Sequence, residues 1–181
     1  MVDNDAIEIG TREFNKGLDR LNIAKTYFDS INKSKAILTD NDQRKLTKDT
    51  ENTADFLTRS IDIILKSLAY LYIPDVDPSI LIGHRQTPVI DLLLDSYDIA
   101  PELKEINETL TDIRLVAYRI HNFIKLSAYE GCNIYTRNLT TFFDYANILK
   151  DFGIRHGLND FDKFVELHTL KNEEETKDEN K

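Results

Sequence analysis

A chain of 181 residues, 41% hydrophobic and 30% charged, has the material for one domain with a real core, and this composition excludes an intrinsically disordered protein. A formal net charge of −9 excludes a surface coated for nucleic acid, so RNA or a nucleotide would have to meet a local basic patch. One cysteine, Cys132, excludes an internal disulfide, the acidic start Met1 to Asp5 has no apolar signal region, and no stretch nears the roughly 20 apolar residues of a membrane span, so a cytoplasmic protein without membrane association is expected.

Apolar residues recur at steps of three and four almost throughout. Phe14, Leu18, Leu21, Ala24, Phe28 and Ile31 predict a helix over 11–32, with Thr11 as its N-cap, after a flexible segment 1–10. Residues 33–49 are polar, and Thr39 to Asp42 offers a turn and a new helix start. Ala54, Leu57, Ile61, Ile64, Leu68 and Leu71, widened by Ile63, Leu65 and Tyr72, predict a more central helix that ends by Ile73, because Pro74 disfavours α geometry before it. A loop is expected over 74–86, then a short Leu-rich helix from Thr87 and Pro88, carrying Val89 to Leu94.

Ala100, Pro101 and Glu102 restart a helix whose core face runs Leu103, Ile106, Leu110, Ile113, Ala117, Ile120 and Ile124; Gly131 is its first clear stop, with an alternative break near Asn107. Leu139, Phe142, Phe143, Ala146, Leu149 and Phe152 predict the next helix, ending at Gly153 or Gly157. Asn159 is read as the cap of a last short helix with Phe161, Phe164, Val165 and Leu167. Nothing alternates with period two. The expected class is all-α, an antiparallel up-and-down bundle of four to six helices over residues 11–170. Residues 171–181 read as a disordered acidic tail, since the run from Asn172 has five acids, two lysines and no apolar residue.

No His/Cys spacing suits zinc, the nearest approach to a di-iron pattern (Glu166 and His168) has the wrong spacing, and no phosphate loop or nucleophile elbow occurs, so neither metal nor cofactor is expected. His156 and His168 read as surface residues. The segment Arg114 to His121 differs. At about 100° per residue, Asn107, Thr111, Arg114, Tyr118, His121 and Lys125 share one line beside the apolar stripe. Two arginines, a lysine, a tyrosine and a histidine gather between 114 and 125, with no acid from Arg114 to Tyr129. Such a cationic, aromatic patch suits phosphate-bearing ligands. Arg114 and His121 are separated by about 10.5 Å along one helix, so two copies meeting about a two-fold axis are needed to bring Arg and His together. The alternative is a structural role, with Arg114 paired to Asp112, Glu108 or an acid on a neighbouring helix.

The chain resembles the HEPN superfamily, helical bundles of prokaryotic toxin–antitoxin and defence systems. Phe14 to Ile31 and Ala54 to Tyr72 look like its first two helices, Gly83-His84-Arg85 before Val89 to Leu94 is similar to its histidine-plus-Leu-rich segment, and Phe142 to Leu149 looks like its final helix. Arg114 and His121, with six residues between them, match the outer limit of the family's ribonuclease motif; active members usually carry a polar residue after the arginine, where this chain has Leu115. The resemblance implies a homodimer with a composite cleft and metal-independent RNA cleavage leaving a cyclic phosphate. His121 is then the acid/base, Arg114 the phosphate clamp, and Tyr118, Arg119, Asn122 and Lys125 place RNA, with His84 a further candidate. It also implies an antitoxin or nucleotidyltransferase as partner. The alternative is a non-catalytic module binding a nucleotide or protein, or a plain helical scaffold.

Overall fold

The computed structural model describes residues 3–33, 40–83, 85–126 and 136–168, with the side chains of 33, 40–47, 120–126 and 136–138 outside the description. The described residues are helical throughout, with short turns and no strand, so the chain is all-α. None of the described helices is long and apolar enough to cross a membrane.

Helix α2 (Asp40–Tyr72) is the hub, because most of its residues from Thr53 to Tyr72 are buried. Ala54, Leu57, Ile61, Ile64, Leu65, Leu68 and Leu71 all lose essentially their whole surface. Polar residues on the same helix are buried too, and two of them are satisfied locally: Thr58 Oγ1 donates to the Ala54 carbonyl at 2.6 Å and Ser67 Oγ to that of Ile64 at 2.7 Å. Such back-bonding lets a hydroxyl enter an apolar core without stranding its proton.

Helix α1 (Asn4–Lys33) lies along α2 and runs the other way, since Gly10 meets Leu71, Gly17 meets Ile64 and Ser30 bonds Asp49. The approach is so close that Ser60 Oγ reaches the Gly17 carbonyl at 2.8 Å. The helix begins at Asn4, not near residue 11. Asp3 is the residue that caps it, accepting from the Ala6 amide at 2.7 Å, and Ile7 enters the core. Thr11 is therefore not a cap; it is buried mid-helix, with Oγ1 unpartnered among the described residues.

After α2 stops at Tyr72, as Pro74 requires, the expected loop contains one helical turn, α3 (Pro78–Leu81), capped by Asp77. Helix α4 (Gln86–Leu94) starts a residue before Thr87, with Arg85 at the cap position and no side-chain cap bond. Pro101–Ile106 is a 3-10 helix, and the α geometry begins only at Asn107, the alternative break. Helix α5 (Asn107–Leu126) and helix α6 (Thr136–Arg155) follow, the latter antiparallel to α1 through the pairs Phe28–Phe143 and Phe14–Gly153. Gly157, in the left-handed region at φ +74°, ends this segment, while Gly153 is inside α6. Residues 161–168 form α7, capped by Asp160 and not by Asn159: the Lys163 amide donates to Asp160 Oδ1 at 3.1 Å. The Gly131 stop and the tail 171–181 lie outside the described residues.

Two consequences can be measured. A Cβ on Gly153 would come within 2.1 Å of Cζ of Phe14, whose ring is fully buried. Gly153→Ala gains about 1 kcal/mol of helix propensity but overpacks a site that cannot yield, at about 1–3 kcal/mol or more. A net loss, seen as a lowered urea midpoint, is expected. Tyr72 packs edge-on to Phe164, and its hydroxyl is buried without a partner among the described residues. Burial first, then Glu102 and Glu105, pushes its phenol well above the ordinary value. Above about pH 10 the unfolded chain releases a proton that the folded chain retains, so stability falls as pH rises there. Tyr72→Phe should raise stability by about 1 kcal/mol at neutral pH and flatten that alkaline loss in thermal melts.

Candidate functional site

Helix α5 has two unlike sides. Leu110, Ile113 and Ala117 face the core, continuing Leu103 and Ile106 from the 3-10 helix. The other side carries Arg114, Leu115, Tyr118 and Arg119, all exposed, with Leu115 and Tyr118 at 76% and 77%. Asn107 and Thr111 of the predicted line are exposed as well, and Asn107 Oδ1 accepts from the Tyr97 hydroxyl at 2.7 Å.

Arg114 is held. Its Nε hydrogen-bonds Asp91 Oδ1 on the neighbouring helix α4, with about half of each side chain open to solvent. The Asp91 hydrogen bond and then its charge raise the arginine pKa further, with Asp95 adding a smaller share. The partner is thus the neighbouring-helix acid, and not Asp112 or Glu108.

The helix carrying Asp91 is itself anchored from below. Asp62, buried on α2, accepts from Lys66 Nζ at 2.8 Å and from Gln86 Nε2 at 2.9 Å. Lys66 Nζ also donates to the Gly83 carbonyl, at a glycine with φ +81°. This cluster fastens the turn into α4, and Ile90 and Leu93 bury the inner face of that helix. Asp91 is left on the outer face, opposite Arg114.

The backbone of α5 stays α-helical through His121, so Arg114 and His121 remain two turns apart, about 10.5 Å along the axis. The structure brings Arg114, Tyr118 and Arg119 onto one exposed side of α5. The side chains of His121, Asn122 and Lys125, and all of His84, lie outside the described residues.

Compared with known protein families, curated proteins and solved structures, the chain finds no match. Its chemistry must be read from its own residues.

The two other histidines are structural. His156 Nε2 is 3.1 Å from Glu105 Oε1 and its ring packs on Phe152, while His168 stacks on Phe164 at 3.9 Å. Both are partly buried, so neither is the plain surface residue expected. Sequence reading missed Asp91 and the Asp62 cluster. Asp91 is an acid inside an otherwise apolar run, and that was the available signal. Asp62, in contrast, looks like any helical i,i+4 partner of Lys66.

Asp62→Ala would leave Lys66 (its side chain 15% exposed) without its carboxylate and Gln86 without its acceptor. Breaking a buried pair costs about 3–5 kcal/mol. A loss near the lower end is expected in urea unfolding, with faster amide exchange in α4; Asp62→Ala/Lys66→Met should recover part of it by removing the stranded charge.

Proposed function

We propose that this chain is a HEPN-like antiparallel bundle, acting in the cytoplasm as a metal-independent endoribonuclease of toxin–antitoxin or defence type, with a composite Arg/His site between two copies. The observation that carries the reading is the exposed side of α5, which carries an arginine paired with Asp91, an aromatic ring and a second arginine. A large apolar side chain left in water, Leu115, adds area that a second copy could cover.

In such a dimer the RNA 2′-hydroxyl loses its proton to one His121 and its oxygen bonds to phosphorus. The bond from phosphorus to the 5′-oxygen breaks, and the other His121 protonates that oxygen. The products are a 2′,3′-cyclic phosphate and a 5′-hydroxyl. An imidazole with an unperturbed pKa of about 6.5 suits both roles, and Arg114 can hold two phosphate oxygens as charge gathers there. Tyr118, Arg119, Asn122 and Lys125 bind flanking RNA.

A second reading is a non-catalytic module that binds a nucleotide, a nucleotidyltransferase or an antitoxin. The ion pair to Asp91 favours it, because a carboxylate already neutralises the arginine. Incubating the purified chain with single-stranded RNA in EDTA decides between them. Cleavage with cyclic phosphate ends is expected, falling at least about a hundredfold in His121→Ala and Arg114→Ala variants that keep their helical signal. Full activity in His121→Ala would remove the catalytic assignment, and an inert wild type would select the binding module.

A further inference from the structure

A guanidinium is a rigid fork with two usable edges, and among the described residues Arg114 commits only one of them. Its Nε bonds Asp91, whereas Nη1 and Nη2 hydrogen-bond to none of the described residues. The carboxylate that holds it stands on a fixed base: α4 is clamped at its first residue by Gln86 to Asp62 and along its inner face by Ile90 and Leu93. On this geometry we propose that Asp91 is a positioning residue, which locks Arg114 through Nε so that the Nη1–Nη2 edge is preset to grip two oxygens of a phosphate or phosphodiester.

A free arginine must freeze several torsions when it binds an anion, and a pre-set one has already done so. The arrangement also sets a limit on affinity. Asp91 on α4 and Asp95, the residue just past its end, lie one turn apart and both act on Arg114, so the local charge is not positive. Inorganic phosphate alone should bind weakly, in the millimolar range, and tighter binding needs further cations along the RNA backbone. Asp91 is thus a device for orientation and not for affinity. The inference rests on the phosphate-handling role of Arg114 proposed above, but its geometry can be tested without RNA cleavage.

The test follows the arginine side-chain signals of the ¹⁵N-labelled full chain, with Arg114→Lys assigning the residue. In the wild type, the Arg114 Nε–H signal should lie away from the free-arginine position and exchange slowly; in Asp91→Asn it should move to that position. Adding inorganic phosphate should shift the Arg114 Nη signals while Nε–H stays where it was. If phosphate instead moves Nε–H to the position seen in Asp91→Asn, Asp91 is a competitor and the proposal is overturned. It is equally overturned by a wild-type Nε–H at the free position, or by Nη signals that ignore phosphate. With RNA, Asp91→Asn should lower kcat about tenfold with KM unchanged or reduced, and Asp91→Glu should recover part of the loss; an unchanged kcat would overturn the positioning role. A wild type that cleaves no RNA sinks the ribonuclease reading alone, and the Nε and Nη signals still decide this one.

Discussion

From Thr53 to Tyr72 helix α2 gives up water on nearly every side, and the need to cover it determines where the other helices stand. α1, α4, α5 and α6 all pack against it. A helix with so wide an apolar stripe cannot lie at a surface. The closest of these contacts is with α1, where Gly10 and Gly17, two turns apart, leave no side chain between the backbones and the α2 residues Leu71 and Ile64. The same α1 then turns Phe14 toward Gly153, so α6 is seated by a ring fitting against a missing side chain. Size complementarity, and not charge, decides the order of these three helices.

Charge enters where the chain passes from α3 to α4. A turn fastened only by apolar contacts would leave its backbone polar groups to water or to chance. Here Lys66 takes the Gly83 carbonyl and Asp62 takes Gln86, so the turn is tied to the hub by groups that α2 buries for the purpose. The tie leaves Gln86 Oε1 without a partner among the described residues, a local cost accepted in exchange for a fixed α4. From that anchor the order of contacts is short: α2 holds α4, and α4 presents Asp91 to Arg114 of α5.

The helical class and the identity of the core were legible in the sequence because period-three-and-four burial leaves a direct trace: every member of the α2 stripe from Ala54 to Leu71 is buried. Helix starts were less legible. Asp3 precedes residues with only sparse apolar content, so its capping went unseen, and Thr11 looked like a cap only because the strong stripe begins after it. Asp160 and Asn159 are chemically equivalent as caps, and only the backbone path separates them. The α3 turn was hidden by its length, since Pro78–Leu81 is too short to show a period. At the candidate site, spacing alone put Asn107, Thr111, Arg114 and Tyr118 on one exposed line. It could not name Asp91, because a contact between residues 91 and 114 depends on how two helices are laid side by side.

Helix α4 is held on its two sides by different electrostatics, toward α2 by the Asp62 cluster and toward α5 by Arg114, and the two respond differently to the medium. On its inner side the Asp62 cluster is shielded from mobile ions by the protein around it. On its outer side the Arg114–Asp91 pair is half in solvent, where ions screen charges over a Debye length of about 8 Å at physiological ionic strength and about 3 Å at 1 M. Added salt should therefore loosen the contact between α4 and α5 while the tie between α2 and α4 stays closed, making the freedom of Arg114 a quantity that ionic strength alone can adjust.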